Sequence, residues 1–193
     1  MVKEEETKSE PIVEDQTNGQ EFAYELKVPQ ERVAVLIGEK GEIKKEIESQ
    51  TKTKLDISSE GDITITGNDA LLLFTSQQIV KAIARGFNPK IALLLTKTDY
   101  VLEMIDLKDA SGKSKNTMIR LKGRIIGKEG RSREEIERLT NTDISVYGKT
   151  IAIIGETMDV FNARQALSML LQGAMHKTVY RFLEKQKKKM LMG

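Results

Sequence analysis

The chain of 193 residues contains no cysteine, no tryptophan and a single histidine. The absence of cysteine excludes disulfides, thiolate nucleophiles and cysteine-based zinc sites. One histidine, His176, cannot build a histidine-clustered metal site and disfavours a serine–histidine catalytic triad. No apolar run approaches about 18 residues, so we expect no membrane span and no secretory leader. We therefore expect a cytoplasmic protein that has no membrane partner, uses no cofactor or metal and is not an enzyme.

The charge of the chain is nearly balanced but unevenly distributed. Thirty-one basic and 29 acidic residues leave a formal net charge of +2. Residues 1–20 hold two basic and six acidic residues and almost no apolar pattern, so we expect a disordered acidic tail there. Residues 21–118 have a net charge of −1, whereas residues 119–193 hold 15 basic and 8 acidic residues, a net charge of +7. The near-neutral total therefore conceals a basic C-terminal region that would suit an anionic partner.

The sequence repeats itself after the tail. Leu-Ile-Gly-Glu-Lys-Gly at residues 36–41 is answered 89 positions later by Ile-Ile-Gly-Lys-Glu-Gly at residues 125–130. At the same offset Ile47 matches Ile136, and at an offset of 88 Gly67 matches Gly155. Matches over some thirty residues indicate an internal duplication of one domain of about 85 residues.

Both copies show the same predicted order of elements. In the first, strand-like alternation covers residues 22–28, helices 33–37 and 42–51 follow, then strands 54–58 and 62–66, and a helix capped by Asn68 or Asp69 that ends at Arg85. The second has a strand at 100–107, a flexible loop at 109–116, helices 115–126 and 131–140, strands 143–147 and 150–154, and a closing helix from Thr157. The predicted fold class is α+β, with two β-α-α-β-β-α domains, each a three-stranded sheet packed against three helices. The predicted divisions are a tail (1–20), a first domain (21–87), a linker helix (88–98) and a second domain with an extended C-terminal helix (99–193).

The Gly-x-x-Gly loop between the first two helices of each copy is the motif that carries chemistry. The first glycine can end one helix in a left-handed conformation, and the second leaves the backbone bare where the next helix begins. The unpaired N–H groups and the positive helix dipole there suit a phosphate. Nearby Lys and Arg side chains add charge without dictating sequence. The loop is therefore expected to hold a nucleic-acid backbone while the flanking apolar positions contact bases.

Ile-Gly-x-x-Gly within this order of elements resembles the KH RNA-binding domain, of type I. The motif stands at residues 37–41 and 126–130, although Ser132 occupies the position of Ile43 in the first copy. The resemblance implies that each loop clamps about four nucleotides of single-stranded RNA. The residues predicted to bind RNA are Gly38, Glu39, Lys40, Gly41 and Lys44 in the first copy, and Arg120, Lys122, Arg124, Ile125, Ile126, Gly127, Lys128, Glu129, Gly130, Arg131, Arg133 and Ile144 in the second.

The second half has a more specific resemblance. Residues 119–131 and 144–155 are similar to those of the Partner-of-Nob-One family, also called Dim-two, and a chain this short with both loops intact looks like the archaeal form. The resemblance implies binding near the 3′ end of small-subunit rRNA during ribosome assembly and pre-rRNA processing. It also implies cooperation with the Nob endonuclease or other assembly factors.

Several alternatives remain beside this interpretation. Basic residues cluster around the second loop, which favours the second domain as the main RNA clamp, but nearby glutamates could pair with them. The first domain could assist RNA binding or dock a protein, and the whole chain could be a scaffold with idle loops or a KH protein outside ribosome assembly. Ser-Gly-Lys-Ser at 111–114 ends like a nucleotide-binding P-loop, but Leu107 stands where that motif needs glycine. The lysine run at 185–189 is typical of a solvated helix end and could also extend the RNA path.

Overall fold

The computed structural model describes residues 22–112 and 114–192. The predicted acidic tail at 1–20 lies outside the described residues, and so does Lys113 of the P-loop-like run. Within the described part, no helix is both long and apolar enough to cross a membrane, and no group of three or more His, Cys, Asp or Glu side chains could hold a metal ion.

The first domain contains three strands and three helices in the predicted order. Its elements are β1 (Phe22–Lys27), α1 (Gln30–Ile37), α2 (Glu42–Thr51), β2 (Lys54–Ile57), β3 (Asp62–Gly67) and α3 (Ala70–Ala84), with one 3₁₀ turn at Glu39–Gly41. The side chain of Asp69 caps α3 by accepting hydrogen bonds from the amides of Leu71 and Leu72. A connecting segment follows, in which Asn88 caps the short helix α4 (Pro89–Ala92), and a 3₁₀ turn covers Leu93–Thr96.

The second domain repeats this order and adds two helices. Its elements are β4 (Tyr100–Asp106), α5 (Leu107–Ser111), α6 (Lys115–Ile126), α7 (Arg131–Thr140), β5 (Asp143–Tyr147), β6 (Thr150–Glu156), α8 (Thr157–Leu171) and α9 (His176–Met192), with a 3₁₀ turn at Lys128–Gly130. Each domain forms one antiparallel three-stranded sheet, in the orders β1-β3-β2 and β4-β6-β5. The predicted α+β fold of two β-α-α-β-β-α domains is confirmed.

Two local predictions were wrong. The predicted flexible loop at 109–116 begins inside α5, because Asp106 caps that short helix through the amide of Lys108, at 2.8 Å. The single closing helix from Thr157 is two helices, since α8 ends at Leu171 and the chain turns at Gly173 (φ +98°) before α9 begins. His176 is therefore the first residue of a separate helix. Its Nε2 lies 2.8 Å from the backbone oxygen of Arg124.

The two sheets differ in what covers their second face. In β3 the buried Ile63 and Ile65 alternate with half-buried threonines, so this sheet packs on its own helices through one face only. In β6 every residue from Ile151 to Gly155 is buried. Ile151 and Ile153 belong to the core of the second domain, whereas Ala152 and Ile154 belong to the core of the first.

The end of α3 and the connecting segment supply that cover. Leu93 and Leu95 pack in the same cluster as Ile154. At the edge of this contact the Ser145 hydroxyl donates to the backbone oxygen of Arg85, at 2.7 Å, and the Tyr147 hydroxyl bonds to the Glu31 carboxylate. The two domains therefore share an apolar interface instead of being joined only by a linker.

Candidate nucleic-acid interface

The first glycine of each loop occupies a position that only glycine suits. Gly38 has φ +74° and Gly127 has φ +72°, in the left-handed half of the backbone map. A Cβ on Gly38 would lie 2.5 Å from Ile43 Cγ1, and one on Gly127 would lie 2.6 Å from Ser132 Cβ. Each loop is therefore pressed against the first turn of the helix that follows it, and Ser132 fills the place of Ile43.

The two residues between the glycines of the second loop form a concavity for an anion. Lys128 has helical backbone angles, and Glu129 is left-handed with φ +56°. Consecutive residues in these two conformations aim neighbouring amides at one point, a geometry that binds anions. Within residues 22–112 and 114–192, the amides of Lys128 and Glu129 donate no hydrogen bond, while the Gly130 amide donates to the Gly127 oxygen at 3.4 Å. Two donors are therefore left for an external acceptor such as a phosphate oxygen.

The first loop has the same backbone with the charges in the reverse order. Glu39 is helical, Lys40 is left-handed with φ +53°, and the Gly41 amide donates to the Gly38 oxygen at 3.3 Å. Both central side chains are exposed in both loops. Each loop therefore presents one lysine and one glutamate to solvent beside its amides.

An open groove lies along the first part of α6, the helix that ends at the second loop. It has a volume of about 690 Å³ and runs between α6 and the turn that joins β5 to β6. Its apolar floor is formed by Met118 and by Ile119, which is 60% exposed. Four lysines rim it: Lys108, Lys115, Lys122 and Lys149. Ile126 stands two helical turns after Ile119 on the same face of α6, so this face leads from the groove to the loop.

Of the residues predicted to bind RNA, Lys122 lines the groove. Five other lining residues were not identified from the sequence: Lys108, Lys115, Met118, Ile119 and Lys149. The signal was available in part, since Lys115, Ile119, Lys122 and Ile126 follow the three- and four-residue spacing of one helix face. Nothing in the sequence shows that the β5–β6 turn lies opposite this face, because that juxtaposition depends on the sheet.

Lys44 and Arg133 hold equivalent places and have a structural partner. Lys44 Nζ is 3.9 Å from Glu48, and Arg133 Nε is 3.5 Å from Glu137. Each glutamate also accepts a hydrogen bond from a backbone amide near the start of the next strand. Glu48 accepts from the Leu55 amide at 2.8 Å, and Glu137 accepts from the Ile144 amide at 2.7 Å. Burial raises the pKa of Glu137, against the opposing effects of the Ile144 amide and of Arg133. These basic side chains therefore sit beside half-buried carboxylates that fix the second strand.

Arg124 was predicted to contact phosphate, but its guanidinium has other partners. Its Nε donates to the Leu170 oxygen at 3.2 Å, and its Nη2 donates to the Ala174 oxygen at 2.5 Å. Leu170 stands in the last turn of α8, and Ala174 lies in the short connection between α8 and α9. The guanidinium therefore joins the end of α8 to the segment that follows it. The structure thus corrects the prediction: Arg124 binds the end of α8 because helix geometry turns it about 140° away from Ile119.

The first domain has the same arrangement, which we call the arginine clamp. Arg32 Nε donates to the Ile83 oxygen at 2.8 Å, and Arg32 Nη2 donates to the Phe87 oxygen at 2.7 Å. Both acceptors lie 87 positions before those of Arg124, so they are equivalent carbonyls. The arginines themselves are 92 positions apart, about one helical turn out of register with the repeat.

The remaining predicted residues divide between the loop and its surroundings. Arg131 is exposed beside the loop and pairs with Glu129 at 2.9 Å. Arg120 is exposed but lies about 100° round α6 from Ile119, away from the groove. Ile125 is 0% exposed and Ile144 is 4% exposed, so the prediction that bases contact them is corrected: both side chains belong to the core and support the groove from below. Ile126 is half-buried and remains available.

One further basic residue, in the last turn of α7, is neutralised. Arg138 of α7 donates two hydrogen bonds to the Glu135 carboxylate, at 2.9 Å and 2.6 Å. These bonds lower the pKa of Glu135 below its usual value, so the pair stays charged on both sides near neutral pH. The cationic groups that the structure leaves at the loop and groove are therefore mainly lysines.

Comparisons with known proteins agree on the fold of both halves. Residues 101–188 match the PNO1 second-domain model, described as a eukaryotic type KH-domain (KH-domain type I), and residues 23–72 match the KH domain model. A KH domain-containing protein, MJ0443, of Methanocaldococcus jannaschii is 50% identical over 89% of this chain and 77% of its own length. The pre-rRNA-processing protein PNO1 of Phaeosphaeria nodorum is 29% identical over 72% of this chain, which spans 52% of that relative.

Solved structures give the same result. Dim2p from Pyrococcus horikoshii is 43% identical, with a TM-score of 0.79 over 85% of this chain and 99% of that one. A chain in the a/eIF2alpha–aDim2p–rRNA complex from the same organism is 43% identical, with a TM-score of 0.81 over 88% of this chain and 96% of that one. A protein of unknown function from Aeropyrum pernix, APE0754, is 37% identical with a TM-score of 0.84, over 90% of this chain and 94% of that one.

Proposed function

The chain belongs to the archaeal PNO1 family of KH-domain proteins, also called Dim2, and from this we propose that it binds single-stranded RNA in ribosome assembly. The observation that supports the proposal best is the second loop, where two free amides stand beside an exposed lysine, at the end of the helix that lines a lysine-rimmed apolar groove. Several of its relatives are named as pre-rRNA-processing proteins, and a structural neighbour comes from a complex with rRNA.

The finer proposal concerns which RNA is bound and what the protein does with it. We propose small-subunit rRNA near its 3′ end, held in the cytoplasm for the Nob endonuclease or other assembly factors to act on. The KH and PNO1 families are RNA-binding families and not enzyme families, which supports a role in holding RNA without cutting it. We also propose that the working units are residues 21–87 and 99–193, joined by 88–98.

Binding at the second loop would proceed through three kinds of contact. A phosphate oxygen accepts hydrogen bonds from the amides of Lys128 and Glu129, while the Lys128 ammonium neutralises its charge. The next bases lie on Met118, Ile119 and Ile126, which offer apolar surface but no aromatic ring. The rimming lysines balance the charge of the neighbouring phosphates. The first loop supplies the same amides at Glu39 and Lys40 with fewer lysines around them.

The proposal is tested by reversing the charge of the second loop. In the variant Lys128→Asp with Glu129→Asp, two carboxylates meet the phosphate, and aspartate tolerates the left-handed position of Glu129 well. RNA affinity is expected to collapse while the circular dichroism spectrum stays unchanged. The matched control is Glu39→Asp with Lys40→Asp in the first loop, where we expect a smaller loss because fewer cations surround it.

The salt dependence of binding gives an independent measurement. If about four lysines meet phosphates, the dissociation constant should rise with roughly the 2.8 power of salt, or ~50-fold between 50 and 200 mM. Full RNA binding by the double variant of the second loop, or a flat salt dependence, would contradict the proposal. Nuclease or NTPase turnover by the purified protein would contradict the holding role.

A protein-docking scaffold is the second candidate, and an apolar patch on the first domain favours it. Leu71 is 78% exposed and Phe74 is 59% exposed on α3. Phe22 and Tyr24 of β1, a strand that packs against α3, are also exposed. The equivalent of Tyr24 in the second sheet is Glu103, which pairs with Arg164. Replacing Phe74 by glutamate should weaken binding of the Nob endonuclease and leave RNA affinity unchanged. Loss of RNA affinity in that variant would place the patch in the RNA path instead.

A further inference from the structure

Helix α9 carries a row of basic side chains on one exposed face. The exposed members of the row are Lys177, Arg181, Lys185 and Lys188. At about 100° per residue they fall within an arc of roughly 80°. The opposite face holds Val179 and Leu183, which are buried in the core of the second domain.

The row is rigid, and its charges have no close partner. α9 packs against both α7 and α8 through its apolar face, so the row is fixed relative to the second loop. Within residues 22–112 and 114–192, none of the four side chains lies within 4.0 Å of a carboxylate; Glu184 stands beside the row without forming an ion pair. Four positive charges are thus available to an external anion.

The position of the row connects it to the RNA groove. α7 starts at the second loop and, with ten residues, is about 15 Å long. Its far end meets α9, where Lys187 Nζ donates to the Arg138 oxygen at 3.4 Å. The second loop and α9 are thus connected by a helix about 15 Å long, a distance that a few nucleotides can span.

The chemistry of the row suits a phosphate backbone and not bases. From Lys177 to Lys188 it extends about 16.5 Å in a straight line, and no aromatic side chain lies on this face to stack with a base. The proteins that recognise double-stranded RNA do so mainly through its shape and its phosphates, with little regard to sequence. The first domain has no counterpart of the row, because the buried connecting segment follows α3 there.

We propose that α9 is a second RNA surface, which holds the phosphates of a double helix next to the single strand in the groove. This inference rests on the proposed function and deepens it. The ligand would be an RNA in which a short single strand adjoins a hairpin stem, gripped at the two parts by different chemistry. The loop and groove take the strand, and the row takes the stem.

The test compares two RNAs and three proteins. One RNA is a single strand of about 12 nucleotides from the 3′ end of small-subunit rRNA, and the other is the same strand with a hairpin stem of about ten base pairs attached. The variant carries Lys177→Gln, Arg181→Gln, Lys185→Gln and Lys188→Gln. The matched control removes the same charge from exposed lysines of the first domain and the connecting segment, with Lys52→Gln, Lys54→Gln, Lys90→Gln and Lys97→Gln.

The wild-type protein and the control should bind the stem-containing RNA at least about 10-fold more tightly than the strand alone. In the α9 variant this advantage should disappear, and the salt exponent for the stem-containing RNA should fall by about 0.9 for each side chain that meets a phosphate. Affinity for the strand alone should stay within about twofold. An unchanged advantage overturns the inference, and an equal loss on both RNAs assigns the row to the single-strand path. If the wild-type protein binds neither RNA, the proposed function itself fails.

Discussion

Arg124, which forms the arginine clamp of the second domain, has either a structural role or an RNA-binding role. A conservative substitution distinguishes the two. Arg124→Lys keeps the positive charge but removes the planar, five-donor fork through which one guanidinium holds both carbonyls. If the guanidinium stabilises the end of α8, the variant loses most of that stabilisation. If Arg124 contacts phosphate, lysine preserves most of the contact.

The structure sets the size of the expected loss. Each hydrogen bond from a charged donor contributes about 1.5–3 kcal/mol, and Arg124 makes two of them to the Leu170 and Ala174 oxygens. The group is partly exposed, and water can reach carbonyls at a helix end, so the sum must be reduced. We expect Arg124→Lys to lower the free energy of unfolding by about 2 kcal/mol, which is a fall in Tm of roughly 4–8 °C for a chain of this size.

The assay is denaturant unfolding followed by circular dichroism, with RNA titration below the unfolding range. Lys122→Ala is the matched control, because Lys122 lines the groove and should lose RNA affinity without losing stability. Arg32→Lys should cost about as much stability as Arg124→Lys, since the two clamps have equivalent acceptors. Unchanged stability of Arg124→Lys would refute the clamp, and Arg124→Ala should then weaken RNA binding without unfolding the protein.

Three further predictions concern other parts of the molecule. Gly127→Ala should destabilise the protein by about 2 kcal/mol in thermal unfolding and lower RNA affinity, because the methyl group would meet Ser132 and the backbone angle disfavours any side chain; wild-type stability would contradict the loop geometry. Ile119→Asp should reduce RNA affinity at least about 10-fold in a binding titration and leave stability unchanged, since the side chain is exposed on the groove floor; unchanged affinity would remove bases from this surface. The bond to Glu31 raises the pKa of Tyr147, so its contribution to stability is present below the ordinary tyrosine range near pH 10 and is lost as the pH rises through the raised value. The difference in unfolding free energy between wild type and Tyr147→Phe should therefore shrink in strongly alkaline buffer, and a difference that grows with pH would exclude the bond.

The sequence predicted those helices and strands whose ends are set by caps, glycines and the period of apolar residues. The helices at 42–51, 115–126 and 131–140 and the strand at 143–147 begin and end where their caps, glycines and apolar periods indicate. The duplication also extends to backbone features, since the left-handed Lys52 and Asn141 are 89 positions apart. The short helix α5 was missed because one aspartate cap and five residues give too weak a pattern against a polar surrounding.

The candidate site was predictable in its loop and less so in its cations. The loop depends on glycines at fixed spacing, which the sequence displays directly. Arg124 was misassigned because its partners are 46 and 50 positions away, and because its counterpart in the first domain is displaced by one helical turn. A basic residue close to the loop in sequence can therefore lie on a face of the helix that points away from the RNA site.

The order of elements is the same in both domains, so it does not show which sheet is covered on both faces. The sequences of the central strands do differ. β3 alternates Ile-Thr-Ile-Thr, which leaves one face for solvent, whereas β6 reads Ile-Ala-Ile-Ile and needs cover on both faces. That cover comes from the end of α3 and the connecting segment, so the second domain depends on the first for part of its core. The basic groove and α9 are thus carried by the domain whose sheet is covered on both faces, and the slightly acidic first domain supplies one of the two covers.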